Sequence, residues 1–247
     1  MPEAIAIDER EILHQITLTC QIPAVIEGIL TRKIIARAAE EQGIKVEPEE
    51  LQQAADAVRL MNNLRTSDAT WDWLQKHNLS LDDFEEVVKA SVITSKVVQT
   101  LFAAEVDPFF VEHQLDYVKA IMYEVVLDDE ELAMELFYAI KEGEIGFHEV
   151  AHQYISEPEQ RRCGGYRGAL CRQELKPEIS AAVFATNPSQ VLKPIVTSKG
   201  IHLILVEEVL QPQLDERLRH EIISNLFSKW LKQQVAAFEV EISVNRE

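Results

Sequence analysis

The stretch from Gly164 to Val209 sets the tightest limits on what this chain can fold into. It opens on Gly164-Gly165, with a third glycine at Gly168. Paired glycines of this kind mark backbone at positive φ, where other residues are strained. It closes on Gly200-Ile201-His202-Leu203-Ile204-Leu205, an apolar strand with a single histidine set into it. Residues N-terminal to this stretch read as helix after helix, and those C-terminal to it as one more helix.

The helical half is legible from spacing. Pro23 opens a helix whose Val25, Ile26, Ile29, Leu30, Ile34 and Ala38 recur in steps of three and four until Gly43. A weaker helical pattern precedes it from Asp8 to Gln21. Glu47-Pro48-Glu49-Glu50 starts the next helix, with proline in the first turn and acids at the positive end of the dipole. A short helix carries Trp71, Trp73 and Leu74 behind a Ser67 or Asp68 cap. Ser80 then caps a long one bearing Phe84, Val88, Val97 and Leu101. Asp107-Pro108 begins a last short helix that ends near Gln114.

From Tyr117 to Val126 the pattern turns to loose alternation rich in β-formers, which predicts a strand. Asp128 or Asp129 caps a helix stopped by Gly143, and Phe147 to Tyr154 forms another. Beyond the opening stretch, Leu214, Leu218, Ile222, Leu226 and Trp230 recur every four residues in a helix running to about Ala236. Such a face needs a partner, and the N-terminal helices are the expected one. Phe238 to Val244 alternates as a half-buried strand, to pair with Ile5-Ala6-Ile7, itself an edge strand or only a lead-in, or with a second copy in a homodimer. The fold class is therefore α+β, with a helical domain over 1–114, a mixed domain over 116–210, and a returning segment over 211–247.

Charge bounds the partners. The 247 residues carry a formal net charge of -18, which repels nucleic-acid backbone and anionic lipid. No uninterrupted apolar run approaches the ~20 residues that cross a bilayer, so membrane insertion is not expected. The first residues lack a basic start followed by an apolar core, which leads to an expected cytoplasmic location. Cys20, Cys163 and Cys171 make no CxxC pair. His148 and His152 stand four apart without a third ligand, so neither metal nor cofactor is expected.

Residues Val118 to Val209 resemble a parvulin-type peptidyl-prolyl isomerase. Gly164-Gly165-Tyr166-Arg167-Gly168 stands where that family has GGDLG. Leu175-Lys176-Pro177-Glu178-Ile179 stands for its groove segment, and Ala182-Val183-Phe184 for the A-x-F of its next helix. Pro194 to Leu205 matches its closing proline, threonine, glycine and histidine pattern, with Thr197, Gly200 and His202 in register. A helical domain before and a returning helix after are similar to the SurA and PrsA class of foldases. The resemblance implies an FKBP-like domain, an antiparallel sheet flanked by helices, that acts on proline-containing unfolded or exported polypeptides.

It also implies a site. Leu175 and Ile179 would line the apolar slot for the proline ring, with Phe184 beneath it and Met122 among the substrate contacts. Thr197 and His202 would form the polar floor, the hydroxyl holding the imidazole tautomer. The set is degenerate. The family's first histidine falls on Met122, so His202 loses its ring-to-ring partner. The family's cysteine or aspartate falls on Pro158, just after Glu157, and its leucine in the glycine turn is Arg167. The turn after the first strand, Leu127-Asp128-Asp129-Glu130, lacks the basic residues of phosphate-reading members. The alternative to an isomerase is a non-catalytic chaperone, or a maturation or secretion accessory, whose domain only binds peptide.

Overall fold

The computed structural model describes residues 6–240. Six helices lead the chain: α1 (Glu9–Leu18), α2 (Ile22–Glu41), α3 (Pro48–Met61), α4 (Ser67–Lys76), α5 (Leu81–Phe102) and α6 (Val106–His113). Strand β1 (Lys119–Leu127) comes next, then α7 (Glu130–Glu142), α8 (Phe147–Tyr154) and α9 (Pro158–Arg162). The rest is β2 (Tyr166–Cys171), α10 (Pro177–Val183), β3 (Gln190–Val191), β4 (Ile195–Thr197), β5 (Gly200–Leu210) and α11 (Glu216–Ala236).

Two compact units result. One holds the chain up to Pro108 and again from Glu216, the other Phe109 to Asp215. The division falls inside α6, ahead of the expected boundary between 114 and 116.

In the helical unit the caps set the registers. Asp8 and Glu11 close a capping box on α1, and Ser80 and Asp83 do the same on α5. Thr66 caps α4, not Ser67 or Asp68, because its hydroxyl reaches the Ala69 N–H. Helix α5 carries two clusters. Near its start Phe84 and Val88 pack with Leu74 of α4 and part-buried residues of α3. Farther on Val97 joins Ile35, Ala38 and Ala39 of α2, and Phe227 and Trp230 of α11 lean on that cluster. Phe102, Phe227 and Trp230 form a trio of rings with centroids 5.8–6.3 Å apart. Arg219 of α11 holds Asp107 through two bonds of 2.9 Å. The helical run Leu81–Tyr117 has, by length and composition alone, a window apolar enough to cross a membrane, although Phe84, Val88, Val97 and Phe102 are buried in the fold.

Two expected strands are not formed over the residues described. Ala6 and Ile7 form no strand, and neither do Phe238, Glu239 and Val240. Alternation gives a sheet face only where a ladder partner exists, and no described strand lies beside either. The remaining residues of both segments, Ile5 and 241–244, lie outside the described residues.

The mixed unit is an antiparallel sheet in the order β2-β1-β5-β3, with β4 pairing β5. The period of two sorts its residues onto two faces. Val125 and Leu127 of β1 with Ile201 and Leu203 of β5 meet α7 and α8 on one face. Ala120 and Met122 with Ile204 and Val206 meet α10 on the other. That second face carries the candidate site.

Candidate functional site

Two charged or polar side chains sit in the sheet on the α10 side. His202 stands in β5 opposite Val126, and Glu124 stands in β1 opposite Ile204. Both therefore project from the same face. His202 is 4% exposed, and the Glu124 side chain 11%. A burial that deep is tolerated only with partners.

The partners form one chain of contacts. Glu124 Oε1 lies 2.7 Å from His202 Nδ1, and His202 Nε2 lies 2.7 Å from Thr197 Oγ1. A carboxylate only accepts, so Nδ1 is the protonated nitrogen. Thr197 Oγ1 accepts from the Lys199 backbone N–H at 3.1 Å and from Lys176 Nζ at 3.0 Å. Its own proton has His202 Nε2 and, at 3.4 Å, the Gly200 carbonyl within reach. At the other end Arg167 Nε stands 3.3 Å from Glu124 Oε2. The path thus runs Arg167, Glu124, His202, Thr197, Lys176.

Local backbone explains why these side chains meet. The Gly164-Gly165 turn lies against β1: Glu124 N–H donates to the Gly165 carbonyl at 2.8 Å. Gly165 has φ of 79°, and a Cβ there would sit 2.6 Å from the Glu124 carbonyl oxygen. In the β1–β2 ladder Met122 pairs with Gly168 and Tyr123 with Tyr166, so Arg167 is skipped. The bulge frees Arg167 from the alternation, so its side chain can reach Glu124. Gly200, at φ of 123°, makes the β4–β5 turn that brings Thr197 beside His202. Its missing Cβ leaves room for the Leu127 carbonyl at 2.8 Å.

The apolar residues divide differently from the expectation. Leu175 and Phe184 are part-buried at the edge of the α10-side cluster, where a slot wall would be. Ile179 is 4% exposed and Met122 0%, so both are corrected from slot contacts to packing beneath it. Met122 fills the sheet centre between Val206 and Gly168, where it touches no solvent. Arg172 lies over the Phe184 ring at 4.3 Å.

Pro158 and Glu157 begin α9 and are exposed, and neither bonds to Glu124, His202 or Thr197 among the described residues. Burial, and then the Glu174 carboxylate, push the Cys171 thiol up, which leaves it a poor nucleophile.

Glu124 escapes the motif comparison. It lies two residues after Met122 and on the same face. Its signal in the sequence is a lone carboxylate inside an apolar strand.

Residues 128–208 match the Rotamase family, the PPIC-type PPIASE domain. The foldase protein PrsA of Halalkalibacterium halodurans is 22% identical over 193 residues, covering 75% of this chain and 57% of that protein. The chaperone SurA of Cupriavidus metallidurans is 27% identical over 112 residues, covering 42% of this chain and 22% of that one. The chain spans less than two thirds of the length of these relatives. Among solved structures, a PrsA peptidylprolyl isomerase of Bacillus cereus superposes with a TM-score of 0.54 at 15% identity, covering 96% of this chain and 90% of that one. One from Bacillus anthracis gives 0.50 at 16% identity, covering 88% and 100%. These likenesses carry the fold.

Proposed function

Because the chain carries a PPIC-type parvulin domain of the SurA/PrsA-like class, we propose that it is a peptidyl-prolyl cis–trans isomerase and foldase for proline-containing polypeptides. The X-Pro bond turns slowly because amide resonance opposes rotation with a barrier of about 20 kcal/mol. No nucleophile is needed to lower it. What is needed is a site that binds the twisted amide better than the planar one. Twisting returns a lone pair to the prolyl nitrogen, which then accepts a hydrogen bond that the planar amide cannot.

The observation that carries the reading is the unbroken path from Glu124 through His202 and Thr197 to Lys176 beside Leu175 and Phe184. The apolar edge receives the proline ring. The Lys176 ammonium, anchored on the Thr197 oxygen, supplies a donor fixed in place before the substrate arrives, so no reorganisation opposes it. Glu124 supplies the imidazole with the partner that Met122 does not. His202 is a positioning residue in this scheme, since it acts by orienting the Thr197 hydroxyl.

Isomerisation of a proline tetrapeptide, measured with wild type and His202→Ala, tests the reading. Acceleration by wild type and its loss in the variant are expected. No rate above background in wild type sinks the enzyme, and an unchanged rate in the variant sinks the site.

A second reading is supported by Met122, buried where the family keeps a histidine, and by Pro158 at the cysteine or aspartate position. In it the domain binds peptide without turning it over, and the protein is a chaperone or a maturation or secretion accessory. An apolar groove of about 280 Å³ between α2 and α5, lined in part by Ile35, Ala90 and Ile93, suits client holding. Suppression of client aggregation by wild type and by His202→Ala alike, without isomerisation, favours this reading. A cytoplasmic site of action is a separate proposal, which fractionation of cells making the full-length protein tests.

A further inference from the structure

The chain is strongly acidic, yet the stretch that builds the slot is not. From Arg161 to Lys199 it holds seven lysines or arginines and only Glu174 and Glu178 as acids. Glu174 is committed to the Cys171 backbone N–H at 2.8 Å. Two cations stand at the slot itself. Lys176 Nζ is tied to the Thr197 and Ser198 hydroxyls at 3.0 and 3.2 Å, and among the described residues no carboxylate ion pair is made by it. Those two bonds leave the third ammonium proton unused. Arg172, over the Phe184 ring, has its Nε–H buried without an acceptor. A half-buried ammonium with hydroxyl partners keeps its charge uncompensated, and the Arg172 guanidinium over Phe184 adds a second positive charge beside the slot.

We infer that Lys176 is a specificity-determining residue which selects clients carrying a carboxylate side chain immediately before the proline. This rests on the reading of the slot given above. The proline ring enters at Leu175 and Phe184, so the polar floor faces the bond between the proline and the residue before it. An ammonium bonded to the floor threonine lies beside that preceding residue. Arg172 adds to the positive field from the Phe184 side.

The experiment uses the full chain and three tetrapeptides, Ala-Xaa-Pro-Phe, with Glu, Ala or Lys before proline. Both kcat/KM, by exchange NMR, and Kd, by titration, are measured for each. Glu over Lys by about fivefold is expected at low salt, the worth of one exposed ion pair. The gap narrows in 1 M salt through screening. Lys176→Met closes it, and Lys176→Glu reverses the order. The ratio between peptides is the readout, so a lower absolute rate in a variant does not disturb it. Equal handling of the three by wild type, or a Glu preference that survives Lys176→Glu, overturns the inference while the isomerase reading stands. No turnover and no binding of any peptide overturns the reading on which it rests.

Discussion

Glu124 is the residue on which the site turns. It satisfies His202 Nδ1 and is itself held by Arg167, which stands where the family comparison leads one to expect leucine. Compared one position at a time, Met122 and Arg167 look like two losses. Taken on one sheet face, Glu124 and Arg167 are a matched pair, because a buried imidazole without its partner is unfavourable. The period of two places Glu124 beside His202, while Arg167 reaches Glu124 only because the bulge takes it out of the alternation, which no motif or period shows. Thr197 and His202 were legible directly, since the Gly200 turn fixes their separation. Gly165 was legible too, and its consequence is testable. Gly165→Ala puts a methyl against the Glu124 carbonyl at a φ of 79°, and a loss of about 2 kcal/mol or more in urea unfolding is expected. Gly168→Ala, at a similar φ but with open space around it, is expected to lose less.

Helices carry the same lesson one level up. Long periodic segments such as α2, α5 and α11 were readable because three- and four-residue steps leave few alternatives. The five residues of α9 were not, since Pro158–Arg162 is polar throughout and has no apolar face. The strand expected from Phe238 is not formed over its described residues 238–240, where no described strand lies beside them to complete a ladder. Helix α11 gives two predictions. Phe102→Ala removes the ring that Phe227 and Trp230 lean on, and about 3 kcal/mol of loss in denaturant unfolding of the helical unit is expected. The second concerns acid. The Arg219 guanidinium holds the Asp107 carboxyl below its usual range. Hydrogen bonding at the Glu47 backbone, and then Lys96, does the same for Glu50. Both folded values are depressed, so the stability they contribute is present above the ordinary carboxylate pKa and lost as pH falls through the folded values. Helical-unit stability is therefore expected to drop below about pH 4. Asp107→Asn should flatten that drop, which thermal unfolding across pH measures.

Over the whole molecule the chain leaves one unit and returns to it. The helical unit is built from both ends, and the sheet unit from one continuous segment. A continuous segment with its own two-faced core should fold without the rest. Residues 109–215 produced alone are expected to give a dispersed NMR spectrum and a single cooperative transition, and a collapsed spectrum would refute that. The helical unit cut at Pro108 lacks α11 and should be less stable than the full chain, as seen by urea midpoint. Acting together, the units would join client holding to isomerisation, which places most of the functional weight on whether the sheet unit turns the amide. The most direct measurement is exchange NMR on an Ala-Glu-Pro-Phe peptide with wild type and with Glu124→Gln. Acceleration by wild type, reduced about tenfold or more in the variant by loss of one charge-assisted hydrogen bond, is the expected result. A wild-type rate equal to the uncatalysed one, or a variant as fast as wild type, would contradict the account.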